Sequence, residues 1–327
     1  MGYTMVILFV LAMVYAYFWY RVHGYRRYCT SNVSLRGKTV IVTGGNSGIG
    51  KETAIDLARR GARVILACRN PNLAEEAVKE VSKRSKSTNV TYRHLDLNSL
   101  ESVRNFATGF LEEEERLDIL VNNAGITGGY PYYNMVPPKR TVDGFEYVCG
   151  TNHFGHFLLT LLLLERLKKC SPSRVVMVSS NYYEHIQTAI DFKPKSPDGL
   201  RYPGLNDYAY SKAANVMFTR ELARRLKGTG VTAYSVHPGN VNTNIIVENN
   251  PRHVWISPII WLLLLSERTG AQGSIHCAVD ESITDLSGSY FENCQPRPLR
   301  SSVVKDDAMC KKLWEVSCQA VGIEDAD

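Results

Sequence analysis

Several features that would direct the interpretation elsewhere are missing from this sequence. The eight cysteines among its 327 residues include no C-x-x-C pair, which argues against a disulfide framework or a zinc site and favours a reducing compartment. The net charge of +6 comes without a long basic run or an alternation of basic and aromatic residues, so no nucleic-acid partner is expected. No internal repeat and no linker divides the chain. With 44% apolar residues, the chain is long enough for one large α/β domain.

Charge is also missing from the N-terminal segment. Residues 3–20 carry no charged side chain, and as a helix they would span about 27 Å, close to the thickness of the hydrocarbon core. Aromatic residues crowd the end of this segment and arginines follow it, whereas a basic n-region and a small-residue cleavage site are absent. We expect a single-pass N-terminal membrane anchor at 1–22, a basic linker at 23–36 and one domain at 37–327. The domain would face the cytosol, with the endoplasmic reticulum as the default membrane; a cleaved signal or a buried helix is the alternative.

From residue 34 onward, short apolar segments alternate with amphipathic ones. Apolar strands separated by helices indicate a parallel sheet that is covered on both faces. The sequence therefore predicts an α/β fold, a Rossmann-type doubly wound parallel sheet with helices on both faces. The predicted strands are 39–43, 63–67, 90–95, 118–121, 174–179 and 231–236, and the predicted helices are 48–60, 72–84, 99–115, 145–169 and 207–227. An edge strand near 287–292 and a short helix at 311–320 complete the prediction.

A glycine-rich turn lies between the first predicted strand and the helix that follows it. Residues 43–50 (TGGNSGIG) carry glycines at 44, 48 and 50, which let the backbone turn sharply and approach a pyrophosphate at a helix N-terminus. The spacing is G-x-x-x-G-x-G rather than the commoner G-x-G-x-x-G. Glycine clusters alone often mark ordinary turns, but this position favours a dinucleotide phosphate site.

The end of the second strand bears on the choice of cofactor. Folds that bind NAD usually place an acidic residue here to accept hydrogen bonds from the ribose hydroxyls. This chain has Cys68 and then Arg69, and a guanidinium would bind a 2′-phosphate that a carboxylate would repel. We expect NADP(H), with the alternative that Arg69 is a surface charge at a helix start. Asp96 either lies over the adenine or begins a helix.

Residues 122–125 (NNAG) follow the fourth strand; their small side chains would let the backbone approach a ligand, and an ordinary strand-end turn is the alternative. Two later segments carry candidate catalytic groups: Ser180 follows the fifth strand, and Tyr208 and Lys212 lie four apart on one helix face. A neighbouring ammonium and a cationic nicotinamide would lower the pKa of Tyr208 from about 10. The tyrosine would then exchange a proton while the nicotinamide exchanges a hydride. Tyr210 is a rival, although it would point to another face of the helix.

In this order the motifs resemble the short-chain dehydrogenase/reductase family over residues 36–320. The matching elements are 43–50, 122–125, Asn152, Ser180, Tyr208 with Lys212, and 237–239 (HPG). Within the family the chain is most similar to the membrane-anchored retinol dehydrogenases and their relatives. That closer likeness rests on 67–69 (ACR), 143–146 (DGFE), 152–159 (NHFGHFLL) and 208–212 (YAYSK).

The resemblance implies a role for each matching position. Tyr208 would be the general acid/base, and Lys212 would hold the nicotinamide ribose and lower the tyrosine pKa. Ser180 would bind the substrate oxygen, and Asn152 would hold a water in a proton relay to Lys212. The residues expected to bind the cofactor are Gly44, Asn46, Ser47, Gly48, Ile49, Gly50, Arg69, Asp96, Leu97, Asn123, Ala124, Gly125, Tyr208, Lys212, Val241 and Thr243. His153 and His156 have the spacing of a metal pair without a third ligand, so no metal is expected.

The sequence thus predicts an NADP(H)-dependent oxidoreductase that interconverts an alcohol and a carbonyl on a hydrophobic substrate. Retinal, retinol or another lipid aldehyde or ketone is suggested by resemblance alone. Steroid or fatty-aldehyde carbonyls are alternative substrates, and a non-catalytic membrane-anchored scaffold is the alternative class. Membrane lipid is the expected partner, and a homo-oligomer is left open. An insert at 186–201 would shape the pocket, and the apolar stretch 254–265 would be a lid, an interfacial element or a core helix.

Overall fold

The protein is described by a computed structural model that covers residues 2–20, 24, 26–127, 140–188, 207–241 and 264–324. An eight-stranded sheet forms its centre, with the strand order β3-β2-β1-β4-β5-β6-β7-β8. The strands are β1 Thr39–Thr43, β2 Arg63–Cys68, β3 Val90–His94, β4 Ile119–Asn122, β5 Ser173–Val178, β6 Val231–His237, β7 Tyr290–Glu292 and β8 Gln295–Arg297. Strands β1 to β7 are parallel, and β8 pairs antiparallel with β7. The Rossmann-like parallel sheet is confirmed.

Helices cover both faces of this sheet. Helix α1 Gly2–Trp19 precedes the sheet, and the helices packed around the sheet are α2 Gly48–Arg59, α3 Pro71–Ser85, α4 Leu100–Glu113, α5 Tyr147–Lys169, α6 Asp207–Arg225, α7 Glu267–Val279, α8 Ser302–Lys305 and α9 Asp307–Val321. Side chains of β1, β2, β4, β5, β6 and β7 enter two separate hydrophobic clusters, one with α4, α5, α6 and α9 and the other with α2, α3 and α7. The chain order reverses between β1 and β4, so a crevice is expected at the carboxyl ends of these strands.

Helix α7 was missed from the sequence, because its composition disguises it. It contains glycines at 270 and 273, and glycine inside a helix costs roughly 0.5–1 kcal/mol relative to alanine. The structure shows why they are there. A Cβ at 270 would overlap the Val241 side chain, and one at 273 would lie 2.8 Å from Val236 Cγ2. Close packing of α7 on β6 therefore overrides helix propensity.

The two most apolar helices differ in their surroundings. Among the described residues, Tyr147–Lys169 is the one helix that is long and apolar enough to cross a membrane, but 78% of its apolar window is buried in the domain. It is a core helix. The shorter helix α1 leaves its large apolar side chains exposed, with Leu8 at 60% and Phe9 at 66%. The anchor at 1–22 and the boundaries of the domain stay predictions.

Candidate active site

The glycine turn after β1 forms a cradle that admits only glycine at its closest point. Gly44 and Gly48 have φ values of +63° and +56°, in the left-handed region that favours glycine. A Cβ at position 50 would clash with Asn123 Nδ2 and lie 2.5 Å from the Gly44 carbonyl oxygen. Ser47, with extended backbone, is the N-cap of α2 and makes no side-chain capping bond there. The turn thus leaves the N-terminus of α2 open to an anion, as a dinucleotide pyrophosphate requires.

The hydroxyl of Thr43 ties this cradle to the loop after β4. Its oxygen accepts hydrogen bonds from the backbone N–H groups of Asn123 at 2.8 Å and Ala124 at 2.9 Å. The Asn123 side-chain amide donates to the Thr43 carbonyl at 2.8 Å. The hydroxyl of Thr43 also lies 2.9 Å from His156 Nε2. Both loops expected to bind cofactor are therefore held by one buried threonine at the end of β1.

The imidazole of His156 continues this network into α5. Its Nδ1 lies 3.1 Å from the Asn152 carbonyl, and a carbonyl only accepts, so Nδ1 carries the proton. Burial lowers the pKa of His156 to about 4, so the ring is neutral and Nε2 accepts from the Thr43 hydroxyl. Each hydrogen bond that leads from the loop at 122–125 through Thr43 and His156 to Asn152 therefore has one donor and one acceptor.

Asn152 lies in a π turn, Gly150–Phe154, within α5, a feature that is frequent at functional sites. Its Nδ2 donates to the Ile126 carbonyl at 2.8 Å and to Ser211 Oγ at 3.0 Å. Its Oδ1 accepts from the Ile126 N–H at 2.8 Å. A Cβ at Gly125 would lie 3.4 Å from both Asn152 Oδ1 and Lys212 Nζ. The Asn152 amide is therefore fixed between the loop after β4 and the start of α6, beside the lysine.

Lys212 is the buried cation of the site. The residue is 3% exposed, and its Nζ donates to the Val178 carbonyl at 3.1 Å. Burial lowers the pKa of Lys212 to about 8. The same ammonium lies 5.4 Å from the ring centroid of Tyr208, as their spacing on one face of α6 predicts.

Tyr208 meets Ser180 as the sequence predicts, but the pKa of the phenol moves the other way. Burial raises the pKa of Tyr208 to about 12, and a hydrogen bond with Ser180 acts against that rise. The expectation of a lowered pKa is wrong for the protein alone, because desolvation of the phenolate outweighs its partners. The Tyr182 ring packs edge-on against Tyr208, with 5.6 Å between centroids. Tyr210, the rival, is 2% exposed and belongs to the hydrophobic cluster beneath α6.

The adenine end is more open. Arg69 directly follows β2 and is exposed, and a hydrogen bond with Tyr147 raises its pKa. Asp96 accepts from the N–H and side-chain amide of Asn98 through Oδ1, each at 3.0 Å. It is Ser99 rather than Asp96 that caps α4. Leu97, also expected at this end, is buried.

Val241, which the family resemblance implies as a residue near the nicotinamide, is 4% exposed and bridges to Leu265 in parallel. Gly239 just before it has a φ of +86°. Thr243, residues 254–263 of the apolar stretch and most of the predicted insert at 186–201 lie outside the described residues. The remaining candidates, Gly44, Asn46, Ser47, Gly48, Ile49, Gly50, Asn123, Ala124, Gly125, Asn152, Ser180, Tyr208 and Lys212, lie along the carboxyl edge of β1, β4 and β5 or on the helices facing it.

Sequence reasoning gave no role to Thr43, His156 or Ser211 in holding the site. The one available signal was polarity within apolar segments: Thr43 ends an apolar strand, and His156 interrupts an apolar helix. The suggested metal pair of His153 and His156 does not converge, because His153 Nε2 contacts Ser317 Oγ at 3.0 Å and His156 contacts Thr43.

A different group of possible metal ligands occurs in the described part of the chain. Cys29, His276 and Asp280 offer ligand atoms within 4.8 Å of one another. The arrangement is also that of a hydrogen-bonded helix end, since His276 Nδ1 lies 3.1 Å from Asp280 Oδ2 and Asp280 Oδ1 accepts from the Ser282 N–H at 3.0 Å.

Comparisons with known proteins agree with this geometry. A sequence profile described as short chain dehydrogenase matches residues 38–189 and 196–253. Retinol dehydrogenase 12 of Mus musculus is 46% identical over 300 residues, 90% of each chain. Retinol dehydrogenase 11 of Homo sapiens is 45% identical over 295 residues, 90% of this chain and 89% of that protein. A crystal structure of an uncharacterized protein from Mycobacterium Paratuberculosis has a TM-score of 0.70 and 34% identity, covering 92% of this chain and 100% of that one.

The class of protein is thereby shown: the chain belongs to the short-chain dehydrogenase/reductase family of oxidoreductases. Within that family it is similar to the retinol dehydrogenases along nearly its whole length, and it is a retinol dehydrogenase-like member.

Proposed function

We propose that this protein is a membrane-anchored, NADP(H)-dependent reductase of a hydrophobic carbonyl compound, with retinal or another lipid aldehyde or ketone as the substrate. The observation that carries the proposal is the meeting of Tyr208, Ser180, Lys212 and Asn152 at one edge of the sheet. The substrate class comes from the names of relatives at 45–46% identity.

The protonation states of the site favour reduction. A bound nicotinamide would supply the hydride. With a pKa of about 12 the Tyr208 phenol is protonated at neutral pH, so it is able to donate its proton to the oxygen of a carbonyl as that oxygen gains charge. Ser180 is placed to hydrogen-bond the same oxygen. The phenolate left behind would be stabilised by Lys212, which with a pKa of about 8 is charged at neutral pH.

Asn152 and Ser211 support the return of the proton. Ser211 Oγ donates to the Tyr208 carbonyl at 2.8 Å and accepts from Asn152 at 3.0 Å, so it ties the backbone of the tyrosine to the asparagine at the first turn of α6. A site held in advance in this way loses little free energy to reorganisation during proton transfer. Asn152 would hold the water through which Lys212 regains contact with solvent.

NADP(H) is the proposed cofactor because the charge at the end of β2 is positive. Arg69 is exposed there, and its side chain forms a hydrogen bond with Tyr147. A planar guanidinium suits a 2′-phosphate. The next residue, Asn70, carries no charge, and its side chain caps α3 by accepting from the Leu73 N–H at 3.2 Å.

The anchor is proposed from α1, an 18-residue helix without acidic residues in its first turn or basic residues in its last. Its exposed apolar side chains would be costly in water and favourable in a bilayer. Together with the arginines that follow, the helix would place the domain on the cytosolic side, where the endoplasmic reticulum is the expected membrane.

A substrate panel tests this function. The full-length protein in detergent is mixed with all-trans-retinal, a fatty aldehyde or a steroid ketone, with NADPH and NADH side by side, and cofactor oxidation is followed by absorbance. We expect retinal with NADPH to give the highest kcat/KM. Turnover of another carbonyl alone would replace the substrate claim. Cofactor binding without turnover of any of them would favour the non-catalytic scaffold.

A further inference from the structure

The segment just after α1 packs on the domain rather than leading away from it. The Arg27 N–H donates to Asn293 Oδ1 at 2.9 Å, and the Arg27 carbonyl accepts from Cys294 Sγ at 3.6 Å. Both contacts use the main chain of Arg27, whose side chain is exposed. They fix the segment to the turn between β7 and β8.

Two further contacts fix the same segment to α7. The Cys29 N–H donates to Gln272 Oε1 at 3.1 Å, and the Tyr28 hydroxyl lies 3.3 Å from Thr269 Oγ1. The segment from residue 26 to residue 29 is thus held at four points by the elements that flank β6 and β7. We refer to residues 26–29 as the membrane-proximal clamp.

The first residue of the clamp reaches the nicotinamide end of the site. The guanidinium nitrogens of Arg26 lie 3.2 and 3.4 Å from the position that a Cβ on Gly239 would occupy. Arg26 is half-buried; burial lowers its pKa, and the carboxylate of Glu292 acts in the opposite direction. The guanidinium therefore lies over the turn that follows β6.

The same guanidinium shares a neighbour with the buried lysine. His237, at the end of β6, is 5% exposed. Burial, and then the charges of Arg26 and Lys212, lower the pKa of His237 to about 4. The charges of a residue from the membrane-proximal clamp and of the active-site lysine therefore both act on one imidazole. This joins the clamp to the site electrostatically as well as by contact.

We propose that Arg26 is a positioning residue that holds the turn at Pro238 and Gly239 against the nicotinamide end of the cofactor site. This inference rests on the proposed function for its catalytic meaning. Its structural content is that the clamp and the turn after β6 form one packed unit. Arg27, the next residue, carries the same charge but meets the domain through its backbone, so it serves as the control for the side chain of Arg26.

The test compares Arg26→Gln and Arg26→Ala with Arg27→Ala in the full-length protein in detergent. The first readout is amide hydrogen exchange of the peptide 236–241 in the cofactor-free protein, with thermal unfolding as a check on folding. We expect amide exchange to be roughly tenfold faster in both Arg26 variants, as loss of one charged hydrogen-bonding group implies. In Arg27→Ala we expect no increase in the exchange rate. In the Arg26 variants the KM for NADPH should rise by a similar factor, while kcat should change less. Arg26→Lys should show a smaller rise in the KM.

Equal exchange in the Arg26 and Arg27 variants would overturn the proposal, and so would faster exchange throughout the domain in every Arg26 variant, since that marks a general structural role. Failure of the proposed function and failure of the proposed role of Arg26 would give different results. If the wild type turns over no carbonyl, the proposed function fails, whereas the exchange comparison in cofactor-free protein still decides whether Arg26 holds the turn.

Discussion

The carboxyl edge of the sheet is built differently on its two sides. On the β1 side, the glycine turn is shaped by backbone geometry, with positive φ at Gly44 and Gly48 and no room for a Cβ at Gly50. On the β5 and β6 side, the site consists of two titratable side chains, half-buried Tyr208 and buried Lys212, whose pKa values are moved by desolvation. The first side is suited to hold a rigid, charged ligand, and the second to move a proton.

The two sides should differ in the kind of substitution that damages them most. A methyl group added to the phosphate side should do more damage than a change of charge there, because the backbone has no space for it. On the proton-transfer side, loss of one polar atom should matter more than a change of volume. Buried Thr43 and His156 link the two sides, so damage to them should reach both.

A large effect on both turnover and cofactor binding is expected from Lys212→Met, which preserves side-chain length but removes the buried ammonium. Turnover should fall by roughly 10³-fold or more, within the range lost with general acid–base groups, and cofactor affinity should fall with it. Steady-state kinetics and a cofactor titration measure both. Lys227→Met removes an exposed lysine and should change neither; equal losses in the two variants would mean that burial of Lys212 has no bearing on catalysis.

Next comes Gly50→Ala on the phosphate side. Its new methyl would meet Asn123 Nδ2 and the Gly44 carbonyl, and overpacking of this kind costs about 1–3 kcal/mol. We expect loss of most cofactor affinity and a lower melting temperature. Gly109→Ala supplies the matched control: it adds the same methyl inside α4, where only the flexible end of Arg93 comes within 3.4 Å. Unaltered cofactor binding in Gly50→Ala would contradict the cradle.

Acid should destabilise the link between the two sides. Burial lowers the pKa of His156 to about 4, against about 6.5 in the unfolded chain. Between these values the unfolded chain binds a proton that the folded protein does not, so stability is full above pH 6.5 and falls towards pH 4, by up to about 1.4 kcal/mol per pH unit. Urea unfolding at pH 7.5, 6.5 and 5.5 measures this slope.

In His156→Gln, the slope of the free energy of unfolding against pH should decrease by the amount that corresponds to the binding of about one proton. It should be unaffected in His94→Asn, which replaces an exposed histidine at the end of β3. Parallel slopes for the wild type and His156→Gln would show that this imidazole is not kept neutral by the fold.

The smallest effect is expected at the open adenine end. Arg69 is exposed, so water and salt screen its charge. Arg69→Ala should raise the KM for NADPH by about tenfold, the order of one charged hydrogen bond, and leave the KM for NADH unchanged. Arg36→Ala removes another arginine from the domain surface as a control. A rise in both KM values would remove Arg69 as the residue that selects the phosphate.

Local patterns explain why most of the fold was predictable. The apolar runs at β1, β2 and β6 fill both sides of the sheet, and their limits shift by no more than one residue from the predicted strands. By contrast, α7 depends on contacts between its glycines and β6, and β8 on pairing with β7. Neither leaves a pattern within its own segment, so neither was predicted.

The candidate site likewise has features that could be predicted from the sequence and features that could not. Residues 43–50 and the Tyr208–Lys212 spacing are readable because glycine conformation and helical periodicity act over a few residues. In the protein without cofactor, the pKa of Tyr208 is raised rather than lowered, because it depends on burial by elements far apart in the chain. The hydrogen bond between Thr43 and His156 joins residues 113 positions apart. The sequence around neither residue indicates a contact with the other.

Tyr208→Phe beside Tyr210→Phe tests the central claim most directly, with NADPH binding and carbonyl reduction measured on the same preparations. Tyr208→Phe removes only the hydroxyl that meets Ser180, and Tyr210 is the rival buried beneath α6. We predict that Tyr208→Phe binds NADPH as the wild type does and reduces no carbonyl, while Tyr210→Phe keeps its turnover. Undiminished turnover in Tyr208→Phe, or loss in Tyr210→Phe alone, would contradict the assignment of Tyr208 as the proton donor.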